Sequence, residues 1–202
     1  MTAEPTVFVV DDVASVRRSL QALLDSAGFR AQTYASASKF LEAYRPDQPG
    51  CLVLDLRLGA ESGLDLQEEL RRRQATLPVI FITAHGSVPA SVRALKAGAI
   101  DFLEKPIRPN TLLARVGEAM ESDRRAREAA EVHASVARRL ACLTPREQEV
   151  ARRVARGESS KEIAAALGGS ARTVEGHRRS ILRKMEVSSA AALARLLSGV
   201  GA

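Results

Sequence analysis

The sequence predicts an α/β domain built on a parallel sheet, followed by an all-helical domain. Three observations carry the prediction. Five short apolar runs alternate with segments of helical spacing over about the first 120 of 202 residues. Four of those runs end in a polar group: Asp11-Asp12, Asp55, Thr83 and Lys105. The last third holds helix-start motifs and most of the excess positive charge. Strict alternation of strand and helix argues for a parallel sheet covered on both faces.

Val7-Phe8-Val9-Val10 is the first strand run. Residues 14–27 then show helical spacing, with Val16, Leu20, Leu23 and Leu24 on one stripe. Gly28 stops that helix. Phe29 to Tyr34 reads as a second strand, and Ser36 as the cap of a short helix through Tyr44. Cys51-Leu52-Val53-Leu54 is apolar enough to be buried on both faces and runs into Asp55. Gly59 to Gly63 is expected to be a loop, and Leu64 to Arg73 a helix with Leu64, Leu66 and Leu70 inward. Pro78 to Ile82 is the fourth strand, ending at Thr83. Val88 to Ala97 is a helix stopped by Gly98. Ile100 to Leu103 is the fifth strand, followed by Glu104-Lys105-Pro106. A further helix begins near Pro109.

Composition narrows the classes. Hydrophobic content of 46% suits a globular core, and 3% aromatics without Trp make it a core of Leu, Val, Ile and Ala. No 18-residue apolar run marks a membrane span. The first residues lack the basic and apolar regions of a secretory signal, so the expected location is cytoplasmic. Cys51 and Cys142 lie far apart without metal-ligand spacing and read as small hydrophobes in a reducing compartment.

In a parallel sheet, the strand ends lie at one edge, where α/β folds place their chemistry. Asp11, Asp12, Asp55, Thr83 and Lys105 can therefore converge. Three crowded carboxylates repel one another, so either a pKa rises or a cation binds. A hard divalent ion such as Mg²⁺ suits carboxylate, carbonyl and water oxygens. One carboxylate can then attack phosphorus, while a hydroxyl and an ammonium hold the phosphoryl oxygens. The competing reading is a structural ion-pair cluster around Lys105.

These residues resemble the receiver domain of two-component response regulators. The resemblance rests on Asp11-Asp12, Asp55, Thr83-Ala84, Lys96-Ala97-Gly98-Ala99, Asp101-Phe102 and Lys105-Pro106. It implies a flavodoxin-like sheet of order 2-1-3-4-5. Asp55 is implied as phosphoacceptor. Asp12, Asp55 and the Arg57 backbone carbonyl are implied to hold Mg²⁺ (or Mn²⁺), with Asp11 acting through water. Thr83 and Lys105 are implied to contact the phosphoryl group, and Phe102 to swing inward with Thr83. A cis Lys105-Pro106 peptide is also implied. One departure stands out: Gly59-Ala60 lies where this family often has Pro.

Residues 118–141 are rich in Ala, Glu and Arg, without Gly or Pro, and predict a helical linker continuing the preceding helix. Pairs such as Glu121–Arg125 and Asp123–Arg127 support it. The apolar stripe Val132, Val136, Leu140 is thin for a coiled coil. The expected domains are 1–120, a linker 121–142, and 143–202.

Of the basic groups, 14 lie in residues 1–117 against 13 acidic ones, and 11 lie in 144–202 against 6. The tail therefore suits an anionic partner. Thr144-Pro145-Arg146-Glu147 and Ser159-Ser160-Lys161-Glu162 are capping boxes. Ser170 caps a third helix to about Met185, and Ser188 is expected to cap a fourth. Val174, Ile181 and Met185 share one face of the third helix, with Leu182 beside it. Arg172, Gly176, Arg179, Ser180 and Arg183 are expected opposite. Two short helices joined by a Gly-containing turn read as helix-turn-helix, and an Arg-rich front suits a major groove.

Leu143-Thr144-Pro145-Arg146-Glu147, Lys161-Glu162-Ile163-Ala164, Thr173-Val174-Glu175, His177 and Lys184-Met185 resemble the LuxR-type DNA-binding domain, here with four helices. Both parts together resemble the NarL/FixJ class, its FixJ-like members most closely. The likeness implies that Glu175, Gly176 and Arg179 face bases. It implies that Thr173, His177, Arg178, Lys161 and Lys184 approach phosphates or support the helix. Gly176 and Gly169 depart from the pattern, where Val and Ile are common, and so does Ser160, where Asn is frequent.

The resulting expectation is a DNA-binding response regulator, not an enzyme. A sensor histidine kinase phosphorylates Asp55, the Val88–Ala97 helix and fifth-strand face dimerise, and the tail binds promoter DNA, with RNA polymerase a further partner. A stand-alone phosphoryl carrier and an RNA-binding antiterminator are the alternatives; the basic tail speaks against the first and the helix-turn-helix pattern against the second.

Overall fold

Strand periodicity sorts the apolar side chains onto two faces of one sheet. The computed structural model describes residues 4–84 and 88–198. Its strands are β1 (Thr6–Val10), β2 (Ala31–Tyr34), β3 (Gly50–Asp55), β6 (Val79–Thr83) and β7 (Asp101–Glu104), all parallel, in the order β2-β1-β3-β6-β7. Counting only these five, the order is 2-1-3-4-5, as expected. Successive side chains on a strand point to opposite faces. Phe8, Val10, Leu52, Leu54 and Phe81 therefore fill one core. Val7, Val9, Cys51, Val53, Ile80 and Ile82 fill the other.

The helices divide accordingly. α2 (Ala37–Ala43), α3 (Gly63–Arg72) and α4 (Val88–Lys96) bring Phe40, Leu66, Leu70 and Ala94 to the first core. α1 (Ala14–Ser26) and α5 (Pro109–Ala141) bring Leu20, Leu24, Leu112, Val116 and Ala119 to the second. Covering both faces is what makes the three central strands, β1, β3 and β6, almost wholly apolar. The second and fifth strands begin one or two residues later than their apolar runs, within the usual uncertainty of element ends.

The stretch expected to be a loop after Asp55 is a small hairpin. β4 (Arg57–Leu58) pairs antiparallel with β5 (Glu61–Ser62) around Gly59-Ala60. Gly59 has φ +67°, a conformation closed to proline, whose ring fixes φ near −65°. Glycine at the first turn position is what a two-residue hairpin of this kind needs. The Gly59-Ala60 departure thus marks a different local structure. Gly63 closes the base: its N–H donates to the Leu56 carbonyl at 2.9 Å. A Cβ there would stand 2.2 Å from the Asp55 carbonyl oxygen.

The chain divides into two units between Arg127 and Glu128. α5 supplies residues to each. In the first unit Asp123, 2% exposed, accepts from the Gly50 N–H at 2.9 Å and from Arg127 Nε at 2.8 Å. Arg127 also donates to the Pro46, Asp47 and Gln48 carbonyls. Val136, buried, and Leu140, partly buried, belong to the core of the second unit. The stretch expected to be a helical linker is helical, and its two ends belong to different units: Asp123 and Arg127 are bonded into the first, Val136 and Leu140 packed into the core of the second.

The second unit holds α6 (Pro145–Ala155), α7 (Ser160–Leu167), α8 (Ala171–Lys184) and α9 (Ala190–Ser198). Both capping boxes form, with Thr144–Glu147 and Ser159–Glu162 exchanging hydrogen bonds. Gly168 ends α7 in the left-handed region at φ +66°, and Ser170 caps α8. The cap of α9 corrects an expectation: Ser189, not Ser188, accepts the Ala192 N–H at 3.1 Å. Val150, Val154, Ile163, Val174, Ile181, Met185 and Leu193 form the core.

Candidate phosphoryl site and nucleic-acid interface

Asp11 and Asp12 follow β1, Asp55 ends β3, Thr83 ends β6 and Lys105 follows β7. Parallel registry brings all of them to one edge. One carboxylate oxygen from each of Asp11, Asp12 and Asp55 lies within 4.8 Å of the others. Lys105 Nζ stands 2.7 Å from Asp11 Oδ2 and 2.7 Å from Asp55 Oδ2. Asp11 and Asp55 are buried, Asp12 is exposed and Lys105 is half-buried. The Lys105 N–H donates to the Thr83 carbonyl at 2.7 Å, tying the last two strand ends together. Lys105-Pro106 is cis, as the resemblance implied.

Backbone and side-chain donors hold the acids in place. Val13 N–H donates to Asp11 Oδ1 at 2.8 Å, and Arg57 N–H to Asp55 Oδ1 at 3.2 Å. Arg17 clasps the Asp11 and Asp12 carbonyls at 2.7 and 2.9 Å. Sequence reading did not single out Arg17, which looked like any polar residue off the apolar stripe. Phe102 is half-buried, its ring 6.1 Å from that of Phe81.

Burial lifts the Asp55 carboxyl above its ordinary range, even though the Lys105 ammonium and the Arg57 N–H pull it down. Burial likewise weakens the Lys105 ammonium, but its bonds to Asp11 and Asp55 outweigh that and raise it. The two shifts reflect one arrangement. A single cation gains from two acids, while each acid has only a share of it. The ammonium therefore stays charged.

The donor set fits a hard divalent cation. Three carboxylates converge, one of them exposed to solvent, and no soft ligand is among them. The cluster is dense in negative charge, with Lys105 bonded between its two buried acids.

On α8, Arg172, Thr173, Glu175, Gly176, Arg179 and Arg183 are exposed, as is Lys161 on α7. Thr173 also takes part in the Ser170 cap. A Cβ on Gly176 would meet nothing within 4 Å. His177, Arg178 and Lys184 are half-buried. Ser180 departs from the expected outward face: it donates to Glu147 Oε1 at 2.6 Å. Lys184 bonds the other oxygen of Glu147 at 2.7 Å. Arg178 donates to the Glu158 carbonyl at 3.1 Å. Ser180 and Lys184 face inward because α8 packs against α6, where Glu147 is buried, while Arg178 reaches the segment that follows α6. Glu147 was legible as a capping residue, not as the pivot of a buried polar network.

Residues 7–117 match the family model of the response regulator receiver domain, and residues 141–197 that of bacterial regulatory proteins, luxR family. Nodulation protein W of Bradyrhizobium diazoefficiens is 45% identical over 96% of this chain and 86% of its own length. Transcriptional regulatory protein FixJ of the same organism is 37% identical over 100% of this chain and 98% of its own. Among solved structures, response regulator StyR superposes with a TM-score of 0.89 at 46% identity, over 97% of this chain and 99% of that one. Full-length FixJ from B. japonicum gives 0.60 at 36% identity, over 99% and 98%. The two matched regions, in this order and over nearly the whole chain, place the protein among the DNA-binding response regulators of two-component systems: a receiver domain followed by a LuxR-type helix-turn-helix.

Proposed function

We propose that Asp55 is the phosphoacceptor and that its phosphorylation by a sensor histidine kinase controls promoter binding by the C-terminal domain. The observation that carries this reading is the Lys105 ammonium, 2.7 Å from both Asp55 Oδ2 and Asp11 Oδ2 beside a third carboxylate. An ionised Asp55 oxygen attacks phosphorus, and the bond to the donor breaks as the new P–O bond forms. Lys105 exchanges a carboxylate partner for a phosphoryl oxygen. The Thr83 hydroxyl approaches another, and Phe102 turns inward as Thr83 moves. Positioning and charge neutralisation are most of what phosphoryl transfer requires.

Asp12, Asp55 and the Arg57 carbonyl are the residues to hold Mg²⁺ (or Mn²⁺), with Asp11 acting through water. The bound metal supplies charge neutralisation between the acids and the phosphoryl oxygens.

The receiver family implies a kinase partner, and the LuxR-type domain implies DNA. The finer reading assigns residues 1–120 to the receiver, 121–142 to the linker and 143–202 to DNA binding. Glu175, Gly176 and Arg179 face bases. Arg172, Arg183, Lys161, Thr173 and His177 serve the backbone, while Arg178 and Lys184 support the helix. Val88, Val92 and Leu95 of α4 are exposed apolar side chains, which suits dimerisation through α4 and β7 on phosphorylation. Two domains then bind half-sites roughly one helical turn apart. No described helix is long and apolar enough to cross a membrane; a cytoplasmic regulator contacting RNA polymerase, rather than a turnover enzyme, is the reading that fits.

The test is phosphoryl uptake from acetyl phosphate in Mg²⁺, followed by gel shift on duplex DNA. Asp55→Asn is expected to abolish uptake, and Arg179→Ala to weaken specific binding at matched salt. Undiminished labelling of Asp55→Asn overturns the assignment.

A further inference from the structure

Glu61 sits at the far end of the β4–β5 hairpin, six residues after Asp55. Its carboxylate leaves the hairpin and takes two backbone N–H groups of another element. Oε2 accepts from Ala37 N–H at 2.7 Å, and Oε1 from Ser38 N–H at 3.3 Å. Both donors belong to the first turn of α2, where helix N–H groups lack partners within the helix. Hydrogen bonds to an ionised acceptor are the stronger kind. The contact spans 24 and 23 positions of the chain, so it is a tertiary tie and not local capping.

The hairpin is tied at its other end to the acid that the proposed chemistry uses. Arg57 opens β4, and its N–H donates to Asp55 Oδ1. Gly59 at the turn lies against the site as well: a Cβ there would stand 3.7 Å from Asp12 Oδ2. Leu58 is buried beneath. A two-residue hairpin of four paired residues has little stability of its own. Without proline to stiffen it, its position depends on what anchors it. The Gly63 N–H bond to Leu56 O holds the base, and Glu61 holds the limb that pairs with Arg57 and Leu58.

We propose that Glu61 is a positioning residue for the phosphoryl site: by bridging the hairpin to α2, it fixes Arg57 against Asp55 and so sets the affinity of the carboxylate cluster for its divalent cation. The inference rests on the reading of Asp55 as phosphoacceptor and deepens it. Residues that orient metal ligands without touching the metal affect affinity by about tenfold or more when removed.

The experiment compares full-length wild type, Glu61→Ala and Glu61→Gln. Mg²⁺ alone is titrated calorimetrically without phosphodonor. Uptake from acetyl phosphate is then followed across Mg²⁺ concentrations. The Mg²⁺ Kd and the half-saturating Mg²⁺ concentration are expected to rise about tenfold in Glu61→Ala, with the uptake rate at saturating Mg²⁺ within about twofold of wild type. Glu61→Gln keeps an acceptor oxygen without the charge and is expected to fall between. Amide exchange of Ala37 and Ser38 is expected to accelerate in both variants before any metal is added. If Glu61→Ala fails to fold, Glu61→Gln carries the same measurements. An unchanged Mg²⁺ Kd in a folded variant, or a loss confined to the saturated rate, overturns the proposal. Failure of the underlying reading looks different: Asp55→Asn still takes up phosphate.

Discussion

The Asp123 carboxylate reaches back 73 residues to accept the Gly50 N–H at 2.9 Å, while Arg127 braces it from one helical turn away. That pair extends the first unit to Arg127, ten residues past the end of the matched receiver region. Asp123→Ala strands a buried N–H and removes the carboxylate partner of an arginine that stays held by three carbonyls. The expected cost to the first unit is about 3 kcal/mol, lowering its thermal midpoint by about 10 °C. Calorimetry on the full chain reads this directly. A midpoint within 2 °C of wild type (about 0.5 kcal/mol) rejects the clamp.

Glu147 gives the second unit a defined acid limit. The Lys184 ammonium, the Ser180 hydroxyl and the Thr144 N–H hold its carboxyl down to about 2, against an ordinary 4.5. A group with a depressed folded pKa stabilises fully above its unfolded value and loses that contribution as the pH falls towards its folded value. The second unit is therefore expected to weaken between pH 4.5 and about 2. Glu147→Gln should remove about 1.5–3 kcal/mol at neutral pH and flatten this part of the acid profile. Urea unfolding across that range decides; equal slopes in both proteins exclude Glu147 as the source.

The two cysteines should separate cleanly under alkylation. Cys51 lies within β3, and burial, reinforced by the Asp123 charge, pushes its thiol up to about 12. Cys142 is exposed. Iodoacetamide at pH 8 is expected to modify only Cys142 in the folded chain and both residues in denaturant, since the thiolate is the reactive form. Mass spectrometry of the digest reads the outcome, and rapid native labelling of Cys51 contradicts the packing.

Salt dependence should sort the cations of the second unit. Arg172 is exposed on α8, whereas Lys184 is bonded to Glu147. Removing a cation that neutralises one phosphate lowers the slope of log K against log salt by about 0.9. Arg172→Ala is expected to lower it by roughly that amount, and Lys184→Ala to leave it unchanged while destabilising the fold. Fluorescence anisotropy on a labelled duplex distinguishes them. A reduced slope in Lys184→Ala means that the Glu147 bond opens on DNA.

The sheet and its edge were legible because periodicity and strand-end chemistry are local. Val7 to Asp12 alone states a strand, its burial and an acidic end. The capping boxes were legible for the same reason. What escaped reading depends on side chains distant in sequence. Glu61 looked like a loop residue until α2 lay beside it. Asp123 and Arg127 looked like one more helix-supporting i,i+4 pair. Ser180 was assigned to the outer face by helical angle alone, and only the packing of α8 on α6 turned it towards Glu147. Gly59 announced a departure, but its meaning required a backbone angle.

Lys105 lies between two acids carried by different strands. The acid cluster thus carries a tethered counterion of its own. One ammonium on the loop after β7 joins the acidic ends of β1 and β3 and draws three strand ends to a single point of the sheet edge.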